Sequence, residues 1–124
     1  MKKFIATLLS VTLILSQFIM PVSAATVINE VGVEVVAPTA AKYPNYDSRL
    51  DDNSYILDNE TFEYKQGGIT WYHGNNIMYP NEAFEIGGVY TAKVELLRAS
   101  TDYIFRVNPE ISATINGNDA YISY

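Results

Sequence analysis

Alternation of apolar and polar residues with a period of two, in runs broken by Gly, Pro and Asn, most restricts what this chain can form. The longest run, Val89 to Leu97, sets Tyr90, Ala92, Val94 and Leu96 on one side and Thr91, Lys93 and Glu95 on the other. A strand that buries one face and wets the other has this pattern. Val27, Val31, Val33 and Val35 share one parity, and Pro38 closes their segment; Thr39 to Asp47, with Pro44, suits an edge or a loop. Thr61 to Lys65 places Phe62 and Tyr64 together, and Ile69 to His73 sets Ile69, Trp71 and His73 against Thr70 and Tyr72. Shorter strands are expected at Ser54 to Leu57 and Ile77 to Tyr79, with Phe84 plugging the core from a loop. Tyr103 to Val107 follows, and then Ile111, Ala113 and Ile115 alternate with Ser112 and Thr114. Asn116-Gly117-Asn118-Asp119 signals a tight hairpin into a last short strand, Ala120 to Tyr124. Strands recurring roughly every eight to twelve residues, with no helical period between them, point to an all-β sandwich and not to a βαβ fold.

Residues 1–24 read differently. Lys2 and Lys3 form a basic start, Phe4 to Met20 is almost wholly apolar, and Val22-Ser23-Ala24 offers small residues at a cleavage site. We expect a helical signal peptide over 1–24, cleaved to release a single domain over 25–124. The apolar run lies near the lower length for spanning a bilayer, so an uncleaved anchor is the alternative, but the small residues at 22–25 favour cleavage. The expected location is secreted, extracellular or at the cell surface.

Composition narrows the remaining choices. Eight Lys and Arg against fourteen Asp and Glu give a net charge of −6, and loss of Lys2 and Lys3 with the leader makes it more negative. With no basic cluster, nucleic acid and anionic lipid are not expected partners. No membrane association is expected after cleavage. The chain has no cysteine, so the domain must be stabilised by its core and not by disulfides.

Several pieces between Gly68 and Gly117 resemble an immunoglobulin-like repeat module of large secreted and surface proteins of gut-dwelling Gram-positive bacteria. They are Ile69-Thr70-Trp71-Tyr72 with Met78, Phe84-Glu85-Ile86-Gly87-Gly88-Val89-Tyr90, Ala92-Lys93-Val94-Glu95-Leu96, Tyr103-Ile104-Phe105, and Ala113-Thr114-Ile115-Asn116-Gly117-Asn118. The Val33 to Pro38 strand fits the start of the module. The resemblance implies an immunoglobulin-like two-sheet antiparallel sandwich with no catalytic residues. The module usually continues past the Asn-Gly hairpin with a further turn and strand, so the resemblance also implies that the final strand is lacking. An open sheet edge would then be available for strand pairing with a partner.

Candidate contact residues are Trp71, Tyr72 and Tyr79. Trp71 suits the core between two sheets, and the competing role is a sugar-stacking platform. The ten tyrosines supply flat apolar faces with a hydroxyl at low entropic cost, which suits recognition, although tyrosine also favours strands. The single His73 has no Cys or second His to complete a zinc site, and no nucleophile-elbow motif accompanies it. Asp47, Asp51, Asp52, Asp58 and Glu60 make an acidic loop whose spacing does not match an EF-hand. No catalytic residue, metal or cofactor is assigned. The expected function is an exported, non-catalytic structural or protein-interaction module, with carbohydrate binding through exposed Tyr and Trp as the alternative. Partners would be other surface proteins or glycans.

Overall fold

The computed structural model describes residues 24–124 and the backbone of two earlier segments, Lys3–Phe4 (β1) and Leu8–Val11 (β2). The remaining strands are β3 (Thr26–Ile28), β4 (Glu30–Val35), β5 (Ser48–Leu50), β6 (Tyr55–Leu57), β7 (Lys65–Gln66), β8 (Ile69–His73) and β9 (Asn76–Ile77). After them come β10 (Val89–Arg98), β11 (Tyr103–Phe105), β12 (Ser112–Ile115), β13 (Asn118–Asp119) and β14 (Tyr121–Ser123). Among the described residues there is no helix. The helical leader expected over residues 1–24 falls largely outside the described residues; of those described there, Lys3–Phe4 and Leu8–Val11 are in strands.

The alternation in β10 has its predicted consequence. Tyr90, Ala92, Val94 and Leu96 are each fully buried, while Thr91, Lys93 and Glu95 are half-buried on the other face. This strand is the spine of the larger sheet, whose path runs β14-β2-β10-β8-β7, with β1 and β6 also on β10 and β9 on β8. Trp71 lies opposite Ala92 and Tyr72 opposite Thr91 across the antiparallel β8–β10 pair. A second sheet has the order β13-β12-β4-β5, and β3 pairs with β11 in a two-stranded ribbon.

The buried side chains of both sheets and of the β3–β11 ribbon form one cluster, which includes Val31, Val33 and Val35 of β4, Trp71 of β8, Val94 and Leu96 of β10, Phe105 of β11 and Ile115 of β12. Tyr55 of β6 crosses from the larger sheet to the second. Its hydroxyl accepts from the Gly32 N–H at 2.9 Å and donates to the Gly32 carbonyl at 3.1 Å. A Cβ at Gly32 would meet the Asp51 carboxylate, which would have to move aside. The hairpin after β12 takes the form its sequence predicts. Asn116 (φ 53°) and Gly117 (φ 79°) both occupy the left-handed region, as a two-residue hairpin of this kind requires. Asn116 also accepts the Val35 N–H through Oδ1 at 2.8 Å, tying the turn to β4.

Two expectations are corrected. The pairing is not wholly antiparallel, because β4 and β12 run parallel, as do β3 and β11. Nor does the Val27 parity continue into β4. Val27 is 46% exposed and Ile28 is buried, because the chain leaves the strand at Asn29 and re-enters with its faces exchanged.

Candidate functional site

The outer face of the β7–β8–β10 sheet carries the densest group of accessible aromatic side chains joined by ring contacts. It begins with a reversal at residues 62–65, closed by Phe62 N–H to the Lys65 carbonyl at 2.9 Å and Lys65 N–H to the Phe62 carbonyl at 3.4 Å. The reversal lifts Phe62 and Tyr64 over the sheet, where their rings stack with centroids 6.2 Å apart and planes 24° from parallel. Tyr79 arrives from the other side. Met78 anchors it, being buried and donating its N–H to the Trp71 carbonyl at 2.8 Å. A turn at Pro80-Asn81, closed by Glu82 N–H to the Tyr79 carbonyl at 3.0 Å, then fixes its direction. Its ring stands edge-on to Tyr64 at 6.1 Å and 86°.

An ion pair supports this ledge. Lys65 lies opposite Thr70 in the β7–β8 register and so shares the outer face with it. The Lys65 Nζ is 2.8 Å from a Glu95 carboxylate oxygen, with the two side chains only 5% and 20% exposed. It also sits 5.2 Å from the centre of the Phe62 ring, within cation–π range. Burial alone would lower the Lys65 pKa, but the hydrogen bond and charge of Glu95, with Asp58 and Glu60 further off, outweigh it and raise the pKa. The Tyr72 hydroxyl is held neutral to higher pH by burial first and by the neighbouring Glu95 and Tyr64 after that. The Lys65 ammonium therefore lies between Glu95 and the Phe62 ring, with Tyr64 stacked on Phe62 and Tyr79 edge-on to Tyr64. Phe62 is 50% and Tyr79 39% exposed.

The three residues singled out from sequence do not act together. Tyr72 and Tyr79 belong to the ledge. Trp71 points the opposite way, is fully buried, donates its indole N–H to the Asn45 carbonyl at 2.9 Å and packs edge-on against Phe84 at 5.4 Å. It fills the core and offers no face to a ligand. Phe62 and Tyr64 were expected on one face of a strand over Thr61 to Lys65; instead residues 62–65 form a reversal and the strand begins at Lys65, and nothing in the spacing announced that the two rings would meet Tyr79.

His73 lies against the Tyr90 ring at 4.6 Å between centroids. The acidic loop satisfies its own turns: Asp52 accepts from Asn53 N–H and the Ser54 hydroxyl, and Asp58 accepts from Glu60 N–H. A depression of about 340 Å³ over the Tyr55–Gly32 tie is lined by Glu30, Asp51 and Asp52 among others. Among the described residues no group of three or more His, Cys, Asp or Glu side chains could hold a metal ion. No described helix is long and apolar enough to cross a membrane. Comparison with protein-family models, with curated proteins and with solved structures finds no match.

Proposed function

We propose that this chain is an exported, non-catalytic module, an immunoglobulin-like two-sheet sandwich that binds a protein partner through the aromatic ledge, in the extracellular space or at a bacterial surface. The ledge itself carries the reading. Phe62 holds apolar area in solvent beside the Lys65–Glu95 ion pair and Tyr79 does so at the edge of Tyr64, and anchored aromatic side chains are the residues on which protein contacts concentrate. The Tyr79 ring stands perpendicular to Tyr64 beside the Phe62–Tyr64 stack, so the ledge offers an apolar side chain both ring faces and a ring edge. The basic, apolar start of the chain supports export. The strand pieces quoted above support the immunoglobulin-like assignment.

A second reading is carbohydrate binding, and it has one observation in its favour: the near-parallel Phe62 and Tyr64 rings offer a surface on which a pyranose could stack. A photo-crosslinking amino acid at position 79, introduced into the exported protein in the producing cell, separates the two. A discrete protein adduct that disappears with Phe62→Ala supports the protein-partner reading. Saturable binding to a glycan array that is lost with the same substitution supports the second. Neither adduct nor glycan binding would contradict both.

A further inference from the structure

Strand β2 occupies a slot one strand wide. On one side it pairs in parallel with β10, Leu8 opposite Lys93 through Val11 opposite Leu96. On the other it pairs in parallel with β14, Leu8 opposite Tyr121, Leu9 opposite Ile122 and Ser10 opposite Ser123. These residues belong to the segment with the composition of a removable leader. We propose that the slot between β10 and β14 is a strand-acceptor site, filled in the precursor by Leu8–Val11 and, once the leader is gone, by an extended, largely apolar segment of a partner protein.

Both walls of the slot have reasons to persist when it is vacated. Among the described residues β14 has no ladder partner other than β2, yet other bonds hold its ends. Ala120 N–H donates to the Ala113 carbonyl at 2.9 Å. The Tyr124 hydroxyl donates to the Arg106 carbonyl at 2.8 Å and accepts the Ile111 N–H at 3.2 Å. On β10, the Glu95 N–H goes to the Gly68 carbonyl and the Glu95 carbonyl receives the Asp58 N–H, both on the far side from the slot. Successive residues of a strand direct these groups to opposite edges, so Val94 and Leu96 direct theirs into the slot. Both side chains are fully buried, which fixes the strand in place. An empty slot therefore leaves main-chain donors and acceptors of a core strand without partners, and a strand added from another chain restores them.

The occupant is a partner's segment and not a second copy of the processed chain. Each strand from β3 to β13 already has a ladder partner, and β14, which loses its ladder partner with β2, is itself a wall of the slot and is tied at both ends to its own chain, so a second copy that gave it would dismantle its own site. The segment in place shows the kind of sequence accepted: Leu8-Leu9-Ser10-Val11, uncharged, without Pro and apolar at three of its four positions. This site is distinct from the aromatic ledge. It rests on the part of the proposed function that makes residues 1–24 a removable leader.

The test uses the full chain, its Leu9→Pro variant and a fluorescent peptide with the sequence of residues 7–12. Proline cannot sit in a central strand, so L9P should vacate the slot. We expect the peptide to bind L9P saturably and at least about ten-fold more tightly than the unsubstituted chain, whose own segment competes. Ile122→Pro in the L9P background should abolish that binding. Trp71 fluorescence checks that the core is intact. Equal binding to both chains, no binding to L9P, or binding indifferent to I122P would overturn the proposal. Dimerisation of L9P in place of peptide binding would show the occupant to be a second copy and overturn it as well. Loss of folding in L9P would make β2 a permanent strand, with the same consequence. The N-terminal residue of the exported protein, read separately, reports on leader removal, so a failure of the export reading is told apart from a failure of the slot.

Discussion

Replacing Tyr55 with Phe removes one oxygen atom and leaves the ring that fills the core. That oxygen is the direct polar link between β6 of the larger sheet and β4 of the second, accepting from Gly32 N–H and donating to Gly32 C=O within a site where Tyr55 is 1% exposed. The two ends of the link do not fail equally. The Gly32 carbonyl also accepts the Asp51 N–H at 3.0 Å and stays satisfied. The Gly32 N–H loses its hydroxyl acceptor in a buried strand. An unsatisfied buried donor costs about 1–3 kcal/mol, with the second bond adding no more than about 1 kcal/mol because its acceptor is shared. We therefore expect Y55F to lose about 2 kcal/mol, which for a domain of this size lowers Tm by roughly 8–16 °C. Urea unfolding followed by Trp71 fluorescence measures it, and the m-value should not change, since the apolar surface buried is the same. A loss below about 0.5 kcal/mol, within the range of an ordinary surface substitution, would show that Tyr55 does not bridge the sheets.

Trp71→Ala should cost about 3–5 kcal/mol by denaturant unfolding, because a fully buried ring packed against Phe84 is deleted; a near-neutral result would place the indole at the surface. Among the described residues Lys65→Met leaves Glu95 with only the more distant Lys93 Nζ at 3.9 Å, and should cost about 1–3 kcal/mol, less than for a pair wholly out of water because Glu95 is 20% exposed. The double variant Lys65→Met, Glu95→Leu should recover most of that loss, and a double-mutant cycle reads the coupling. Stability should fall as pH rises above 10. Burial is the leading cause of the raised pKa of Tyr46, Tyr55 and Tyr72, whose ordinary value is 10.0, and the Lys65 pKa is raised above 10.5 by its acidic neighbours against the effect of burial. In all four cases the folded state holds its proton to higher pH than the unfolded state, so the stabilisation is complete below the unfolded value and lost through the folded one. Thermal unfolding across this range checks the sign, and a Tm that climbs above pH 10 would contradict it.

How much of this was readable beforehand depended on how local the cause was. The faces of β10 and β12 followed from alternation, and Asn116-Gly117 from the positive φ that its turn needs. Phe84 was placed in the core from a loop, where it contacts Trp71 and Tyr90. The parity change at Asn29 was missed because one residue outside the ladder reverses every face after it. The burial of Lys65 has no sequence signal of its own, since it depends on Glu95 arriving thirty residues later. The parallel pairing of β4 with β12 is likewise set by which strands the core brings side by side. The ledge was half legible. Tyr72 and Tyr79 stood out as accessible aromatics, but only the register of β7 on β8 and the turn after Met78 carry Phe62 and Tyr64 to them.

The most direct test of the architecture is a nuclear Overhauser spectrum of the isotopically labelled protein. Two ladders of opposite sense on one core predict close Hα–Hα contact across the antiparallel Trp71–Ala92 pair and the staggered Hα–HN pattern of parallel strands between Val31 and Ala113. They also predict contacts from the Tyr55 ring to Gly32. Sequential amide–amide contacts through Val89–Arg98, as a helix gives, or the two ladders without any contact between Tyr55 and Gly32, would contradict it.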